Sequence, residues 1–216
     1  MKNGYVEFYP SMTAEQLREI LSLSIFIADN SRPNLDSIWF DQSCRRWVAT
    51  DGARLASYQL SYDNDLDTLD SCYFPKELAK EMLKVKFERV RFMIPDLGQD
   101  ETETHVAVIE LIPKNGIGIS FKIPDSRVEN KSFPDLSTMS FDSSDYGQVE
   151  EPSGFDMNYL ADFAKYVKKC GTTKSPMVIY HGHQIPKKGR ANACQPTLWS
   201  TTVDGFALIL MPMRIN

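Results

Sequence analysis

The sequence contains no apolar run near the roughly 20 residues that a membrane-spanning helix requires. Its opening, MKNGYVEFYP, has no apolar stretch of the kind that makes a signal peptide. Neither insertion nor export is expected, and a cytoplasmic location follows. Cysteine is scarce: Cys44, Cys72, Cys170 and Cys194 stand far apart with no C-x-x-C pair among them. That argues against a zinc ribbon and against a disulfide-stapled secreted scaffold, and free thiols, buried or half-buried, are expected. Only 3 histidines occur. His181 and His183 flank Gly182, but no third ligand is spaced to join them, so an exposed pair at a strand end is the simpler reading. There is no G-x-S-x-G elbow, no Walker A loop and no G-x-G-x-x-G turn. Asp63, Asp65 and Asp67 open like a calcium loop, yet Thr68 stands where such a loop needs glycine and Phe74 where it needs its final glutamate. No catalytic residue, metal site or cofactor is expected, and the chain is read as a non-enzyme. Positive charge is the minority sign, with 24 Lys+Arg against 29 Asp+Glu and a formal net charge of -5. This excludes a uniformly basic nucleic-acid binder, but not a protein that gathers its lysines on one surface.

What is present is a chain of 216 residues, 42% hydrophobic and 25% charged, enough for one large or two small globular domains. Its patterns fall into three units of one order, a strand, a helix and further strands. In the first, VEFY reads as a strand, and Thr13 and Gln16 form a capping box for a helix with Leu17, Ile20, Leu21 and Ser24 at helical spacing. SIWFDQ and the hairpin RRWVATDGARLASYQL follow, the latter turning at Asp51-Gly52. The hairpin poses a question, because Arg54 sits just past the turn and directly before Leu55. DNDLDTLD is an acidic loop. The second unit runs from the strand CYF, through Pro75 at a helix start, to the helix KELAKEMLKV. Its strands are ERVRFMI, HVAVIELI and IGISFKI, the last two joined by Lys114-Asn115-Gly116. A polar, turn-rich connection separates it from the third unit. There Asp156 caps the helix MNYLADFAKYVKKC, Gly171 ends it, and the strands PMVIYHG, TLWSTT and FALILMPMR follow. WVATDGARLASY and WSTTVDGFALIL echo one another: each places a tryptophan a few residues before an Asp-Gly turn and an apolar strand. Repetition on this scale points to a modular architecture.

The lysines follow the helices. Lys76, Lys80 and Lys84 lie at i, i+4 and i+8 opposite Leu78, Met82 and Val85. Lys165, Lys168 and Lys169 lie away from a stripe of Leu160, Phe163, Ala164 and Val167. A solvated face with Glu77–Lys80 and Glu81–Lys84 pairs accounts for such stripes. A local track for phosphates, sensitive to salt and blind to sequence, is the functional alternative.

Four segments stand together in a telling order: ADNSRPNLDSIWFD, RRWVATDGARLASY, SFPDLSTM and LILMPMR. With their R-P-x-L, A-T-D-G-x-R-L-A, F-P-D and M-P-M-R cores, the chain resembles the bacterial sliding clamp, the beta subunit of DNA polymerase III. The resemblance covers most of the chain. It implies an α+β DNA clamp fold of repeated strand–helix–strand units, with helices on one face of antiparallel sheets. Residues 1–130 would form a clamp domain of two units, 131–151 an interdomain connection and 152–216 a C-terminal half domain. It implies a processivity factor that tethers DNA polymerase to duplex DNA without sequence specificity, with a clamp loader as a further partner. Partner peptides would enter a pocket made by Leu35, Thr50, Gly52, Arg54, Leu55, Pro134, Met139, Ile209, Met211, Pro212 and Met213, with Arg54 at the rim meeting a polar peptide group. Leucine, isoleucine, proline and adaptable methionine suit such a cleft. Interdomain core is the alternative use of the same residues. The lysines Lys76, Lys80, Lys84, Lys165, Lys168 and Lys169 would then face DNA.

The chain departs from the family pattern in lacking a counterpart of the first domain and of the first half of the third, and it has Ala53 where the family often has histidine. A shortened clamp suggests a phage or mobile element as source. A homo-oligomeric ring would need four such chains, or three if 136–151 hides a reduced fourth unit. A non-ring adaptor that only captures clamp-binding peptides is the rival reading.

Overall fold

In the computed structural model of the chain, the residues described are 5–8, 12–27, 33–41, 45–59, 72–95, 107–124, 133, 136, 139–147, 155–170, 182–184, 196–200 and 205–211. The acidic loop, Gly171, His181, Cys44 and Cys194 lie outside them. In chain order the elements are β1 (Tyr5–Phe8), α1 (Ala14–Ser22), β2 (Ser37–Asp41), β3 (Arg46–Thr50), β4 (Arg54–Gln59), β5 (Tyr73–Pro75) and α2 (Lys76–Lys84). There follow β6 (Arg89–Pro95), β7 (Ala107–Ile112), β8 (Ile119–Ile123), β9 (Tyr146–Gly147), α3 (Met157–Lys169), β10 (Gly182–Gln184), β11 (Thr197–Ser200) and β12 (Phe206–Leu210).

Local sequence sets the helix ends. The Thr13 amide donates to Gln16 Oε1 (2.8 Å) and the Gln16 amide to Thr13 Oγ1 (3.1 Å), a reciprocal capping box that satisfies two otherwise orphaned donors. The box is at the surface, so its loss is not compounded by a cavity. Thr13→Ala is expected to lower stability by about 1 kcal/mol in urea unfolding, and a change under about 0.3 kcal/mol would show the cap to be idle. The Asp156 carboxylate accepts from the Asn158 amide (2.8 Å) and starts α3 in the same way. Pro75 is the N-cap of α2, one position ahead of the first helical residue.

All strand pairs are antiparallel and build two sheets. One has the order β1-β6-β7-β8, the other β5-β2-β3-β4-β12-β11-β10-β9. The larger sheet therefore runs without a break from the second unit's first strand, through the first unit, into the third. Its centre is the pairing of β4 with β12, Leu55 opposite Ile209. The two hairpins that echo each other in sequence thus lie side by side. Their junction closes at both ends by backbone bonds to the other hairpin's turn: Met211 N to Ala53 O (2.9 Å) and Gln59 N to Gly205 O (2.8 Å). Both turn glycines are left-handed, Gly52 at φ 93° and Gly205 at φ 75°, a region that costs any residue with a Cβ.

Alternation along these strands gives the larger sheet two apolar faces. Trp47, Ala49, Ala56, Tyr58, Phe206, Leu208 and Leu210 join Leu17, Ile20 and Leu21 of α1, Ala79 and Met82 of α2, and Phe163 and Tyr166 of α3 in one core. Phe92, Ile109, Leu111 and Ile123 of the smaller sheet close that core from the other side. Trp39, Val48, Leu55, Leu198, Ala207 and Ile209 form a second cluster on the opposite face, covered by Phe133, Leu136, Met139, Phe141 and Tyr146. The stretch expected to be only a connection therefore seals a sheet face and supplies the edge strand β9.

The buried stripe of α3 also differs from the pattern expected. Ala164 is exposed and Tyr166 takes its place in the core. Tyr166 stacks on Phe206 (4.3 Å between centroids) and meets Phe26 (5.5 Å), because α3 leans on the 3-10 turn after α1. Leu160, Phe163 and Val167 pack against the core as expected, and Tyr166 replaces Ala164.

Candidate functional site

The Asp-Gly turn of β3 and β4 forms one wall of an open cleft of about 250 Å³ on the second apolar face. Leu35, Thr50, Gly52, Arg54 and Leu55 line it from the first unit, and Met139, Ile209 and Met211 from the chain's later segments. The family resemblance implies each of these residues; Ala53 and Leu136 line the cleft as well. Pro134, Pro212 and Met213 lie outside the described residues.

The cleft's geometry follows from the strand register. Leu55 and Ile209 face each other across the β4–β12 junction and form an apolar floor, 4% and 1% exposed. Met211 stands at the mouth, 38% exposed, its amide bonded to Ala53 O. Thr50 Oγ1 donates to Arg54 O (2.5 Å) and accepts from the Gly52 amide (3.0 Å), so the hydroxyl spends its capacity inside the turn. A Cβ added at Gly52 would stand 3.7 Å from Leu35 Cδ1, and glycine there keeps the wall low.

Arg54 is not a rim residue with a free head group. Alternation sends its side chain to the face opposite Leu55, and it is 6% exposed. Nε donates to Asp51 Oδ2 (2.9 Å) and Nη1 to Asp162 Oδ2 (2.9 Å). The guanidinium carbon lies 4.7 Å from the Tyr159 ring centre and 5.4 Å from that of Phe26. This answers the question the hairpin poses: Leu55 faces the cleft, and Arg54 pins the turn to α3 behind it. Partial burial disfavours the Asp162 carboxylate, but hydrogen bonds from Lys165 and Arg54 outweigh it and hold its pKa below the ordinary carboxylate value.

Arg46 has an analogous role at the junction's other end, which the sequence did not reveal. It is 7% exposed. Its donors reach Ser57 Oγ (2.9 Å), Gln59 Oε1 (2.8 Å) and Gly205 O (2.9 Å), and its head lies over the Phe141 ring. The one available signal is period-two alternation, which sets Arg46 on the same face as Val48 and Thr50.

The helix lysines divide. Lys76 Nζ donates to Ile27 O (2.5 Å), so this residue braces the end of the first helical segment rather than facing outward. Lys80 pairs with Glu77 and Lys84 with Glu81, as the solvated-face reading expected, and Lys165 pairs with Asp162; their side chains remain 43%, 69% and 67% exposed. Lys168 and Lys169 are exposed at the end of α3. Among the described residues no three His, Cys, Asp or Glu side chains group as metal ligands, and no helix is long and apolar enough to cross a membrane.

Two antiparallel sheets with the helices packed between them make a sliding-clamp fold. Solved structures bear this out. The DNA polymerase sliding clamp of Bacillus subtilis matches with a TM-score of 0.57 at 15% identity, over 100% of this chain and 65% of its own. The DnaN sliding clamp (DNA polymerase III subunit beta) of Bartonella birtlesii, solved bound to griselimycin, gives 0.57 at 15% identity, over 94% of this chain and 65% of its own. The beta clamp of Helicobacter pylori, solved bound to a DNA ligase peptide, gives 0.50 at 16% identity, over 100% of this chain and 67% of its own. The chain thus spans 65% of the length of the first two clamps. No protein-family profile and no curated protein sequence matches it.

Proposed function

We propose that the chain is a sliding-clamp-like processivity factor, without catalytic activity, that tethers replication proteins to duplex DNA through the cleft at the β4–β12 junction. The observation that carries this reading is the cleft itself: an open apolar floor of Leu55 and Ile209 with a methionine at its mouth, on a clamp fold. Such a surface takes the apolar side chains of a short extended peptide and leaves the peptide's polar groups to solvent and to the turn. A DNA ligase peptide bound to a clamp of this fold supports a peptide as the occupant. In this reading residues 1–130 and 152–216 are the clamp domain and the half domain, joined by 131–151. The partners are a polymerase and a loader, and copies of the chain assemble into a ring. Lys80, Lys84, Lys165, Lys168 and Lys169 would meet phosphates; Lys76 is withdrawn from that set by its bond to Ile27 O.

The test is binding of a fluorescent peptide containing glutamine followed by spaced leucine or phenylalanine. Wild-type protein is expected to bind at roughly micromolar Kd. Met211→Glu sets a charge at the mouth of the cleft at a partly exposed position, so the fold survives, and it is expected to weaken binding at least about 30-fold, roughly 2 kcal/mol. Equal binding by the two proteins would refute the peptide site.

A second reading draws on one observation: Lys80, Lys84 and Lys165 are each paired with a carboxylate on their own helix. In a chain of net charge -5 this favours an adaptor that captures clamp-binding peptides without gripping DNA. Retention on closed circular duplex, lost when the circle is cut, separates the clamp from the adaptor.

A further inference from the structure

The cleft wall is held from behind. The turn that forms it is organised by Asp51, whose Oδ1 accepts from the amides of Ala53 (3.0 Å) and Arg54 (3.1 Å). The other oxygen, Oδ2, accepts from Arg54 Nε (2.9 Å). The far end of that guanidinium donates to Asp162 Oδ2 (2.9 Å), on α3. A chain of charge-assisted bonds therefore runs from helix to wall: Asp162, Arg54, Asp51, then the turn amides. Its turn end is shielded, with the side chains of Arg54 and Asp51 6% and 9% exposed, while Asp162 is 22% exposed; shielding strengthens such bonds and makes their geometry harder to change. The turn fixed in this way presents Ala53 O to Met211, so the chain of bonds also sets the mouth of the cleft.

We infer that Asp162, which does not line the cleft, is a positioning residue for it, acting through Arg54 on the Asp51 turn. The inference rests on the reading of the cleft as a peptide site. Removing the Asp162 carboxylate leaves one end of a buried guanidinium without its anion. The guanidinium then swings or draws in water, and the turn amides lose their fixed reference. The same carboxylate takes Lys165 Nζ on its other oxygen (2.8 Å). Lys165 and Arg54 thus share one anion.

The experiment measures the same fluorescent peptide on the full chain by anisotropy and by stopped flow. Asp162→Ala is expected to weaken binding about five-fold, chiefly by faster dissociation. Asp162→Asn, which preserves the shape, is expected to lose part of that, and Asp162→Glu to recover most of it. Lys165→Ala is expected to stay within about two-fold, because an exposed pair contributes little. The decisive comparison is made in an Arg54→Met background, where Asp162→Ala should cause no further loss. A merely structural Asp162 would subtract its effect again in that background, and this additivity would overturn the inference. So would wild-type affinity in Asp162→Ala and Asp162→Asn. Failure of the wild-type chain to bind the peptide at all is a different result: it removes the peptide site, and the inference with it.

Discussion

Trp47→Ala is expected to lower the free energy of unfolding by about 4 kcal/mol and the thermal midpoint by about 10 °C. Trp47 is fully buried and sits where the helices meet the larger sheet. Its ring centre lies 5.3 Å from that of Phe40 and 5.0 Å from that of Phe74. Alanine leaves a cavity walled by rings that are held by their own strands and cannot collapse into it, which places the cost at the upper end for such truncations. Its indole Nε1 finds no acceptor among the described residues. Trp47→Phe, which removes that unpaired donor while keeping much of the volume, should therefore cost less than half as much as alanine. Calorimetry on both variants checks the pair. Equal losses for phenylalanine and alanine would show that ring packing is not what Trp47 contributes.

Gly205→Ala is expected to cost about 3 kcal/mol, the sum of strain at positive φ and a backbone clash. A Cβ at Gly205 would stand 2.3 Å from Gln59 O, a main-chain atom of β4 that cannot rotate away. Relieving the contact means moving the turn off β4. That weakens two bonds that converge on Gly205 O, from the Gln59 amide (2.8 Å) and from Arg46 Nη2 (2.9 Å). The substitution therefore opens the junction between the first and third units at the end remote from the cleft. Urea unfolding measures the loss. A loss under about 1 kcal/mol would mean that the turn moves freely and that the bonds to Gly205 O contribute little. Gly52→Ala makes the contrast: it shares the backbone strain, but its Cβ meets only Leu35 Cδ1, at 3.7 Å.

Much of the architecture was legible in the sequence. The capping box, the Asp-Gly hairpins and the alternation of apolar residues specify local geometry, and local geometry is what short patterns encode. The cleft was reached only through the family resemblance that four segments carry, since an apolar floor made by distant strands leaves no contiguous signature. The legible part ends where partner choice depends on tertiary context. Nothing beside Arg54 in the sequence announces Asp162, 108 positions away. Nothing beside Arg46 in the sequence announces that Gly205 and Phe141 close over it. Tyr166 reads as polar until Phe206 stacks upon it. Phe133, Leu136, Met139 and Phe141 read as part of a polar, turn-rich connection, and their apolar contacts with a sheet face depend on strands distant in sequence.

The junction of β4 with β12 pairs residues as far apart as Arg54 and Leu210, which sets the order in which a nascent chain matures. By the time β8 has left the ribosome, both strands of the first hairpin, both earlier helices and the smaller sheet are available to condense. β4 then offers its backbone and Leu55 to solvent until β12 arrives about 150 positions later. So long a wait for a nonlocal partner slows the final step and leaves a sheet edge open to capture by a neighbouring nascent chain. Translation that stalls between β8 and β12 would release a species with that edge bare, whereas the arrival of β12 covers the edge and creates the cleft in the same event. The site comes into being only when β12 is in place.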